Sequence, residues 1–526
     1  MGLGVLDPSR TENVPGTSFV YDDASRLVLD GELDSRLKYD RTGAVPIILV
    51  PQPSDDPNDP LNWPLWKRDL ILILLSILSV IASTLSPLLA ANTVSLSLLF
   101  DVNFTKMALA TGYHLLGVGI AGFLFVASAR VWGKRHLYLL GTVLIIVSSA
   151  WGGSTGTNYK SLLWARIIQG VGLAPFEALV NARWQWSFYF IAIFCGAMLP
   201  FIILFVPETA FRRDDFFNTD ITGEESAHGG TAPKRHIQDE APSDQSPESS
   251  IPASFEKQPG ASSERHRPGN VPPKVSFARS LLPFNGRKTD ENIFKLVVRP
   301  LLLFLHPAVL WACLIQGTLI GWTVMIGVVL AAIFLGPPLW FSEVETGYMY
   351  TGPFVGAILG FLLAGFLSDW SAKVMIRQNK GVYEPEFRIL LVIAQLVFGC
   401  AGLYGFGITA NNVNRYGWFW PDFFFALEVM GMVLGAVASA LYIVDAHRDI
   451  AVEAFTCLLI FKNVFSFGLT FGAYDWLVAA GILKVFYIIG SVQVGICLLS
   501  IPMYLLGKKN RAFFSKYDVL KKTRLW

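Results

Sequence analysis

Charged side chains lie inside long apolar stretches of this sequence, among them Arg166, Glu177, Glu428 and Lys462. A charge at membrane depth is expensive to keep and by default serves a function. A carboxylate there can carry a proton, a basic side chain can pair with a charged solute, and either can brace one helix against another. Each residue therefore has a functional and a structural interpretation.

Arg166 and Glu177 share one apolar stretch and are eleven residues apart. At about 100° per residue they return to the same helical face, roughly 16 Å apart along the axis. Gln169, Gly170 and Leu173 lie on that face too. This pattern favours a polar stripe that lines a central cavity, with Arg166 as the electrostatic partner of a proton or substrate site. A structural brace between helices is the alternative.

Lys462 is followed by Asn463 deep in another apolar stretch. Glu453, nine residues earlier, falls on the opposite helical face, so the two cannot pair within one helix. Lys462 therefore needs a partner on another helix or a cavity, and Glu428 is the best candidate for that partner or for a proton carrier. A buried structural ion pair and snorkelling of the lysine are the alternatives. His114 is interpreted as a helix-packing polar group rather than a proton relay.

The chain that must position these groups has 526 residues, of which 53% are hydrophobic and 16% charged. This composition predicts an all-α polytopic membrane protein. Eleven stretches are long and apolar enough to cross a hydrocarbon core of about 30 Å: 70–95, 106–128, 137–152, 161–182, 185–206, 307–334, 347–368, 388–409, 420–444, 451–477 and 482–506.

All five cysteines fall within these stretches and are interpreted as small buried apolar residues: Cys195, Cys313, Cys400, Cys457 and Cys497. The sequence contains no catalytic triad, phosphate loop, metal cluster or haem motif, so we predict neither a cofactor nor an enzyme. An intramembrane enzyme is a weak third alternative, and nothing indicates nucleic-acid binding.

Short basic loops set the predicted orientation. Clusters of lysine and arginine follow the second, seventh and last stretches, and the positive-inside rule places all three in the cytoplasm. The predicted stretches give an odd number of crossings between the first and the last cluster. Two clusters on the same side of the membrane require an even number, so one crossing is missing. The fourth stretch reaches the cytoplasmic side near Ala182, and the next begins at Trp184. A span is therefore predicted to be absent between Ala182 and Arg183.

These features predict five regions. They are a cytosolic N-terminal segment (1–68), an N-terminal bundle of five spans (69–206), a disordered cytosolic linker (207–298), a six-span C-terminal bundle (299–507) and a basic cytosolic tail (508–526). The sequence at 111–135 resembles that at 351–373 at a constant offset, so the bundles read as weak repeats. Two similar bundles about a central linker are typical of transporters.

Several segments resemble the major facilitator superfamily, in its fungal drug:proton antiporter branch near the histidinol-permease-like members. They are DDPNDPLNWPLWKRDL (55–70), GYHLLGVGIAGFLFVASARVWGKRHLYLLG (112–141), WARIIQGVG (164–172), WSFYFIAIF (186–194), VPETAFRR (206–213), EPEFRI (384–389) and DIAVEAFTCLLIFKNVFSFGLTF (449–471). The resemblance implies the two-bundle major facilitator fold, with 11 spans here in place of 12.

The resemblance also implies a function. It implies a monomer in the lipid bilayer that moves small organic solutes, with a cationic solute as one possibility, by proton-coupled alternating access. It favours the plasma membrane over the vacuole. The alternative is a non-transporting product, either a truncated splice form or a mis-joined gene model, because the family's fifth span with its glycine- and proline-rich motif is what this chain lacks.

Three further groups of residues have predicted roles. Gly365 and Asp369 match the family's G-x-x-x-D loop motif, whereas Ala129 replaces the acid in the first-half copy. Gly352, Gly356 and Gly360 recur every four residues and predict a tight helix-packing face, which the resemblance places against the absent fifth span. Four aromatic residues on the outer side are interpreted as an interfacial belt, with stacking on an organic cation as the alternative: Trp322, Trp340, Tyr348 and Tyr350.

Overall fold

The structure is a computed structural model, and its long helices make up most of the described chain. It describes residues 3–7, 14–19, 39–40, 47–48, 53–82, 85–86, 89–90, 92–175, 184–211, 275–284, 286–289, 291–517, 520 and 523. The long helices are α1 (Leu65–Ala82), α2 (Phe104–Trp132), α3 (Arg135–Gly153), α4 (Tyr159–Leu173), α5 (Trp184–Phe205), α6 (Pro307–Phe334), α7 (Thr351–Gln378), α8 (Leu391–Asn411), α9 (Phe419–Ala446), α10 (Ala451–Ala480), α11 (Ile482–Leu498) and α12 (Ser500–Lys516).

Shorter elements connect them. The short helices are Thr93–Leu99, Phe277–Ser280, Ile293–Leu303, Glu343–Tyr348 and Val413–Tyr416, with 3-10 turns at Pro60–Asn62, Pro385–Leu390 and Arg448–Ile450. Four two-residue strands form two antiparallel pairs: β1 (Ser18–Phe19) with β4 (Val382–Tyr383), and β2 (Tyr39–Asp40) with β3 (Ile47–Ile48).

Eight helices of the described residues are long and apolar enough to cross a membrane, which agrees with the predicted all-α polytopic fold. The predicted stretch 70–95 is wrong as one continuous span. The described helix ends at Ala82 and a separate short helix begins at Thr93, and the Ser86-Pro87 pair between them disfavours the helical conformation. The predicted stretch 161–182 is described as helix only to Leu173, and residues 176–183, including Glu177, lie outside the described part of the chain.

Helix ends follow local capping rules. Asn103 and Asn158 cap α2 and α4, because their side chains accept the amides of Lys106 and Ser161. At the start of α3, the Glu208 carboxylate accepts the amide of the N-cap residue Lys134 at 2.9 Å and that of Arg135 at 3.0 Å. A carboxylate at a helix N-terminus is electrostatically favourable. This contact fixes the start of the linker beneath the N-terminal bundle.

The N-terminal bundle packs α4 between α2 and α3 and places α5 on α3 and α1. Close contacts use glycine: a Cβ at Gly170 would lie 2.0 Å from the His114 carbonyl oxygen of α2. The core between the helices is formed by buried aliphatic residues, including Leu78, Leu85, Ile145, Leu162, Leu173 and Ile202.

Within this bundle α4 and α5 run in the same direction. Trp151, near the end of α3, donates to Ser161 at the start of α4, so α3 and α4 are antiparallel. Arg135, at the start of α3, donates to the Ile203 carbonyl near the end of α5 at 2.7 Å. Because α5 is therefore also antiparallel to α3, it is parallel to α4. Consecutive spans joined by a short connection are ordinarily antiparallel.

The C-terminal bundle centres on α9, which packs against α6, α7 and α8, while α11 packs on α8 and α10 on α6. Gly402 of α8 lies against the backbone of Glu428. The two bundles meet where α2 packs along α10. We call the end that carries the three basic clusters the cytoplasmic end, following the prediction from charge.

The glycine face of α7 packs within its own bundle. A Cβ at Gly352 would lie 2.5 Å from Oδ1 of Asp422, and one at Gly356 would lie 2.1 Å from the Ala426 carbonyl oxygen of α9. The expectation that Gly352, Gly356 and Gly360 meet the absent fifth span is therefore wrong. Spacing shows that a face allows close approach, but not which neighbouring helix approaches it.

Candidate functional site

The seam between the bundles is built on small residues of α2. A Cβ at Gly112 would lie 2.0 Å from Oγ1 of Thr470, and one at Gly122 would lie 2.4 Å from the side chain of Leu459. At the outer end of the seam, Thr105 donates to Asp475 at 3.1 Å. Only glycine permits this approach, so the two helices are in contact over most of their length.

An ion-pair network closes the cytoplasmic end of the seam. Arg130, at the end of α2, donates to Glu453 at the start of α10 at 2.5 Å. Arg299 lies 3.7 Å from the same carboxylate and pairs with Glu291 at 2.6 Å. Arg299 comes from the helix Ile293–Leu303, which packs on both α2 and α10. The network thus joins the two bundles and the end of the linker, which we call the cytoplasmic latch.

The latch was missed from the sequence, although some of its signals were visible. Arg130 belongs to a predicted cytoplasmic loop, and helical spacing predicts of Glu453 only that it faces away from Lys462. Arg130 and Glu453 are 323 positions apart, and no local pattern indicates such a pairing. The helix Ile293–Leu303 lies across the predicted linker boundary at 298, in a region predicted to be disordered. Its apolar face finds its partners only in the folded protein.

We expect the two arginines of the latch to differ in their effect on stability. Arg299 has 1% of its side chain exposed and Arg130 has 28%. Arg299→Ala should lower the free energy of unfolding by about 1.5–3 kcal/mol, since it removes a buried guanidinium and its charged hydrogen bonds to Glu291. Arg130→Ala should cost about 1 kcal/mol or less. Thermal unfolding of both variants in detergent checks this, and equal losses would show that the deeper burial of Arg299 adds nothing to its contribution.

Arg166 is fully buried and bonded to backbone. Its guanidinium donates to the Leu85 carbonyl at 2.6 Å, to the Ser86 carbonyl at 3.1 Å and to Gln169 at 2.8 Å. Gln169 in turn donates to Ser149 at 2.9 Å. Gly170 and Leu173 on the same face are buried as well. The predicted polar stripe is therefore packed against neighbouring helices, an arrangement that supports the brace interpretation of Arg166.

Glu428 is the deep acid of the C-terminal bundle. It has no exposed surface, and the Thr323 hydroxyl of α6 lies 2.8 and 3.0 Å from its two oxygens. Among the residues that the structure describes, no lysine or arginine forms a salt bridge with it. A buried carboxylate without a cation is stable when it is protonated or when it binds a positively charged group. Glu428 is thus suited to either role.

The proposed pairing of Lys462 with Glu428 does not occur. Lys462 is half-buried on α10 beside Gly317 of α6, and no salt bridge joins it to Glu428 in the described part of the chain. Asn463 faces the seam, where its Cβ lies 3.4 Å from the position of a Cβ on Gly119. Both α10 and α9 pack on α6, but helical spacing alone does not fix which of their residues face each other.

The four aromatic residues divide into two groups. Trp340 and Tyr348 are 71% and 67% exposed, as the interfacial belt interpretation requires. Trp322 is 5% exposed and donates to Gln493 at 3.1 Å, while Tyr350 donates to the Gly327 carbonyl. Trp322 and Tyr350 are therefore part of the bundle interior rather than of the belt.

Comparison with known proteins identifies the family. The family model described as Major Facilitator Superfamily matches residues 178–451, which is more than half of the chain. The chain belongs to the major facilitator superfamily.

Relatives and a solved structure agree with this membership. The facilitator is 24% identical to Protein HOL1 of Saccharomyces cerevisiae over 579 aligned residues, which cover 96% of each chain. It is 23% identical to an uncharacterized MFS-type transporter of Schizosaccharomyces pombe, with 96% and 94% covered. Its fold is similar to that of the proton:xylose symporter XylE, with a TM-score of 0.50, 13% identity, and 84% of this chain and 96% of that chain covered.

The predicted family, fold class and multi-pass membrane location are thereby confirmed. The Schizosaccharomyces pombe relative and XylE are transporters by name, which agrees with the prediction that this facilitator is not an enzyme. Membership also favours transport over the alternative of a non-transporting truncated product.

The two copies of the facilitator loop motif have different surroundings. The copy at the end of α2 lacks the acid at Ala129, but the adjacent Arg130 supplies a charged contact to the opposite bundle. The copy at the end of α7 retains Asp369, which is exposed and has no salt bridge or hydrogen bond among the described residues. Gly365 has no atom within 4 Å of a Cβ position. Gly365 and Asp369 thus lie on a face of α7 against which none of the described helices packs.

Proposed function

We propose that this facilitator moves small organic solutes across the membrane by alternating access of its two bundles, coupled to protons, and that Glu428 is the proton- or cation-binding group. The observation that carries the proposal is the burial of an uncompensated carboxylate between α6 and α9. Keeping such a group costs stability unless a ligand or a proton compensates it in the transport cycle. A cationic solute is the substrate class that complements this charge.

The bundle contacts support the mechanism. Among the described residues, the seam and the latch join the bundles mainly through the helix pair of α2 and α10, with charged contacts at its cytoplasmic end. Contacts of this limited kind can be broken and remade as one bundle rocks against the other. XylE is described as a proton:xylose symporter, which makes proton coupling compatible with the fold. We further propose that the protein acts as a monomer in the plasma membrane.

The test is uptake into proteoliposomes under an imposed pH gradient. We expect an acidic outer side to raise the initial uptake of a radiolabelled organic amine relative to a neutral sugar, and a protonophore to abolish the difference. Liposomes without protein are the control. Equal uptake with and without the pH gradient would exclude proton coupling. Equal uptake of the organic amine and the neutral sugar would exclude organic cations as the substrate class.

A further inference from the structure

The segment before the first membrane helix lies across the cytoplasmic end of the C-terminal bundle. We call residues 3–7 and 14–19 the N-terminal strap. The Leu6 amide donates to the Leu505 carbonyl of α12 at 3.0 Å, and Tyr504 donates to the Leu3 carbonyl at 3.0 Å. Asp7 pairs with Lys508 at 2.9 Å. Hydrogen bonding to this lysine lowers the pKa of Asp7, so the pair is present at neutral pH and is lost only when acid protonates the carboxylate.

One apolar side chain anchors the first part of the strap. Val5 is 2% exposed and packs in a cluster with Met375 of α7 and Phe387 of the Pro385–Leu390 turn. Tyr383 and Tyr504 cover the cluster. A valine this deeply buried in a segment before the membrane helices indicates a formed contact rather than a chance approach.

The second part of the strap is fixed by backbone geometry. Gly16 has φ +84°, and a Cβ there would lie 2.5 Å from the Asp445 carbonyl oxygen and 3.0 Å from the Pro385 side chain. Only glycine meets both requirements. Immediately afterwards β1 pairs with β4, which follows α7 in the chain. The strap therefore adds a strand beside the cytoplasmic end of α7, as peptides do when they bind by β-augmentation.

Arg511 of α12 connects the strap to a buried acidic pair. Its Nε and one terminal nitrogen bind Glu386 at 3.0 and 2.7 Å, and that terminal nitrogen also binds Glu384 at 2.8 Å. The other terminal nitrogen donates to the Pro15 carbonyl and to Thr17, whose hydroxyl donates to Glu384 at 2.7 Å. The strap thus accepts hydrogen bonds from the nitrogen of Arg511 that the two glutamates do not bind. A buried guanidinium without such acceptors would be destabilising.

The helix that receives the strap is the least buried of the described membrane spans. The span containing α7 has 28% of its most apolar segment buried, against 39–78% for the other seven spans of the described residues. The bulk of its helix contacts are with α9. Contacts of the strap with Met375 and with β4 hold its cytoplasmic end.

We propose that the cytoplasmic face of the C-terminal bundle is a peptide-binding groove, that its occupant is the chain's own N-terminal strap, and that this strap clamps the cytoplasmic end of α7 onto the bundle. The groove selects an extended segment with a small aliphatic anchor and a glycine at the closest approach. Nothing in the proposed transport function requires it.

Hydrogen–deuterium exchange of the full chain in detergent micelles tests the proposal, with Gly16→Ala compared with Gly286→Ala. Both glycines have positive φ, +84° and +81°, but Gly286 has no atom within 4 Å of a Cβ position. We expect peptides covering the strap and residues 376–383 to be protected in the wild type. They should exchange at least about tenfold faster in Gly16→Ala, a change of about 1.4 kcal/mol in the opening equilibrium. Gly286→Ala should match the wild type.

A second variant separates the anchor from backbone strain. Val5→Asp places a charge against Met375 and Phe387 and should release the same peptides, while the thermal midpoint of the N-terminal bundle stays unchanged. The proposal is overturned if the strap of the wild type exchanges at the rate of an unfolded chain. It is equally overturned if Gly16→Ala and Gly286→Ala give the same exchange profile.

Discussion

Glu428→Gln is expected to abolish proton-dependent transport while the amount of folded protein stays close to the wild-type level. Glutamine has nearly the same size and retains a carbonyl oxygen for the Thr323 hydroxyl, which lies 2.8 Å from one carboxylate oxygen. It can neither take up a proton nor carry a negative charge. A charge-assisted contact contributes about 1.5–3 kcal/mol, so affinity for an organic cation should fall about tenfold to a hundredfold.

The measurement is uptake in proteoliposomes with and without a pH gradient, together with thermal unfolding of the purified variant. Thr323→Val is the matched control, since it removes the hydrogen bond and keeps the carboxylate. It should shift the pH dependence of uptake without abolishing transport. Wild-type transport by Glu428→Gln, with its dependence on the gradient intact, would mean that this carboxylate is a structural residue.

Hydropathy located the C-terminal spans well. The predicted stretches 420–444 and 451–477 correspond to α9 (Phe419–Ala446) and α10 (Ala451–Ala480). In a bilayer a single segment satisfies its backbone hydrogen bonds by forming a helix. An apolar stretch of sufficient length therefore nearly determines that the segment is helical. The stretch 70–95 was mispredicted because apolar composition continues through a Ser-Pro break that hydropathy does not detect.

The site was predicted in its residue types but not in its pairings. Arg166 and Glu428 are buried as intramembrane charges should be, yet Arg166 binds backbone carbonyls and Glu428 does not meet Lys462. Helical periodicity assigns a residue to a face, and the partner of that face depends on how the helices assemble. For the same reason the spacing of the glycines on α7 did not predict that this face packs on α9.

The internal repeat shows what α7 lacks. Aligning residues 111–135 with 351–373 places Gly119 and Gly122 of α2 opposite Leu359 and Leu362 of α7. The two glycines lie on the α10 side of the seam, whereas the two leucines are 51% and 68% exposed. By the symmetry of the repeats, a helix of the N-terminal bundle belongs against these leucines and Asp369.

Two further observations support a missing crossing, which we retain as a proposal. Consecutive helices α4 and α5 point in the same direction, and only residues 174–183 lie between them. The alignment with Protein HOL1 extends over 579 positions and covers 96% of the 526 residues of this chain, so that relative has residues without a counterpart here. The predicted position of the gap, between Ala182 and Arg183, lies outside the described residues.

Inserting a family-like fifth span between Ala182 and Arg183 is expected to raise both abundance and transport. The added helix would supply the return crossing between α4 and α5 and would pack on the exposed side of α7 at Leu359 and Leu362. Helices associate in the bilayer through close packing, so a bundle without this helix forms fewer of the contacts that alternating access requires. The initial rate of transport per cell should increase at least about tenfold. A change of about 1.4 kcal/mol in the free energy of assembly changes the equilibrium between assembled and unassembled protein tenfold.

The control is an insert of equal length made of leucine and alanine, which restores the crossing without specific packing. It should recover abundance and leave transport low, whereas the family-like span should recover both. Cells expressing the original chain and the two extended forms are compared for protein amount by immunoblot and for accumulation of a labelled organic amine. A tag in the linker, tested with protease in sealed cells, should be protected in both extended forms because an even number of crossings returns the linker to the cytoplasm. Equal transport by the original and family-like forms would show that the chain needs no fifth span, and that α7 works with its outer side facing lipid.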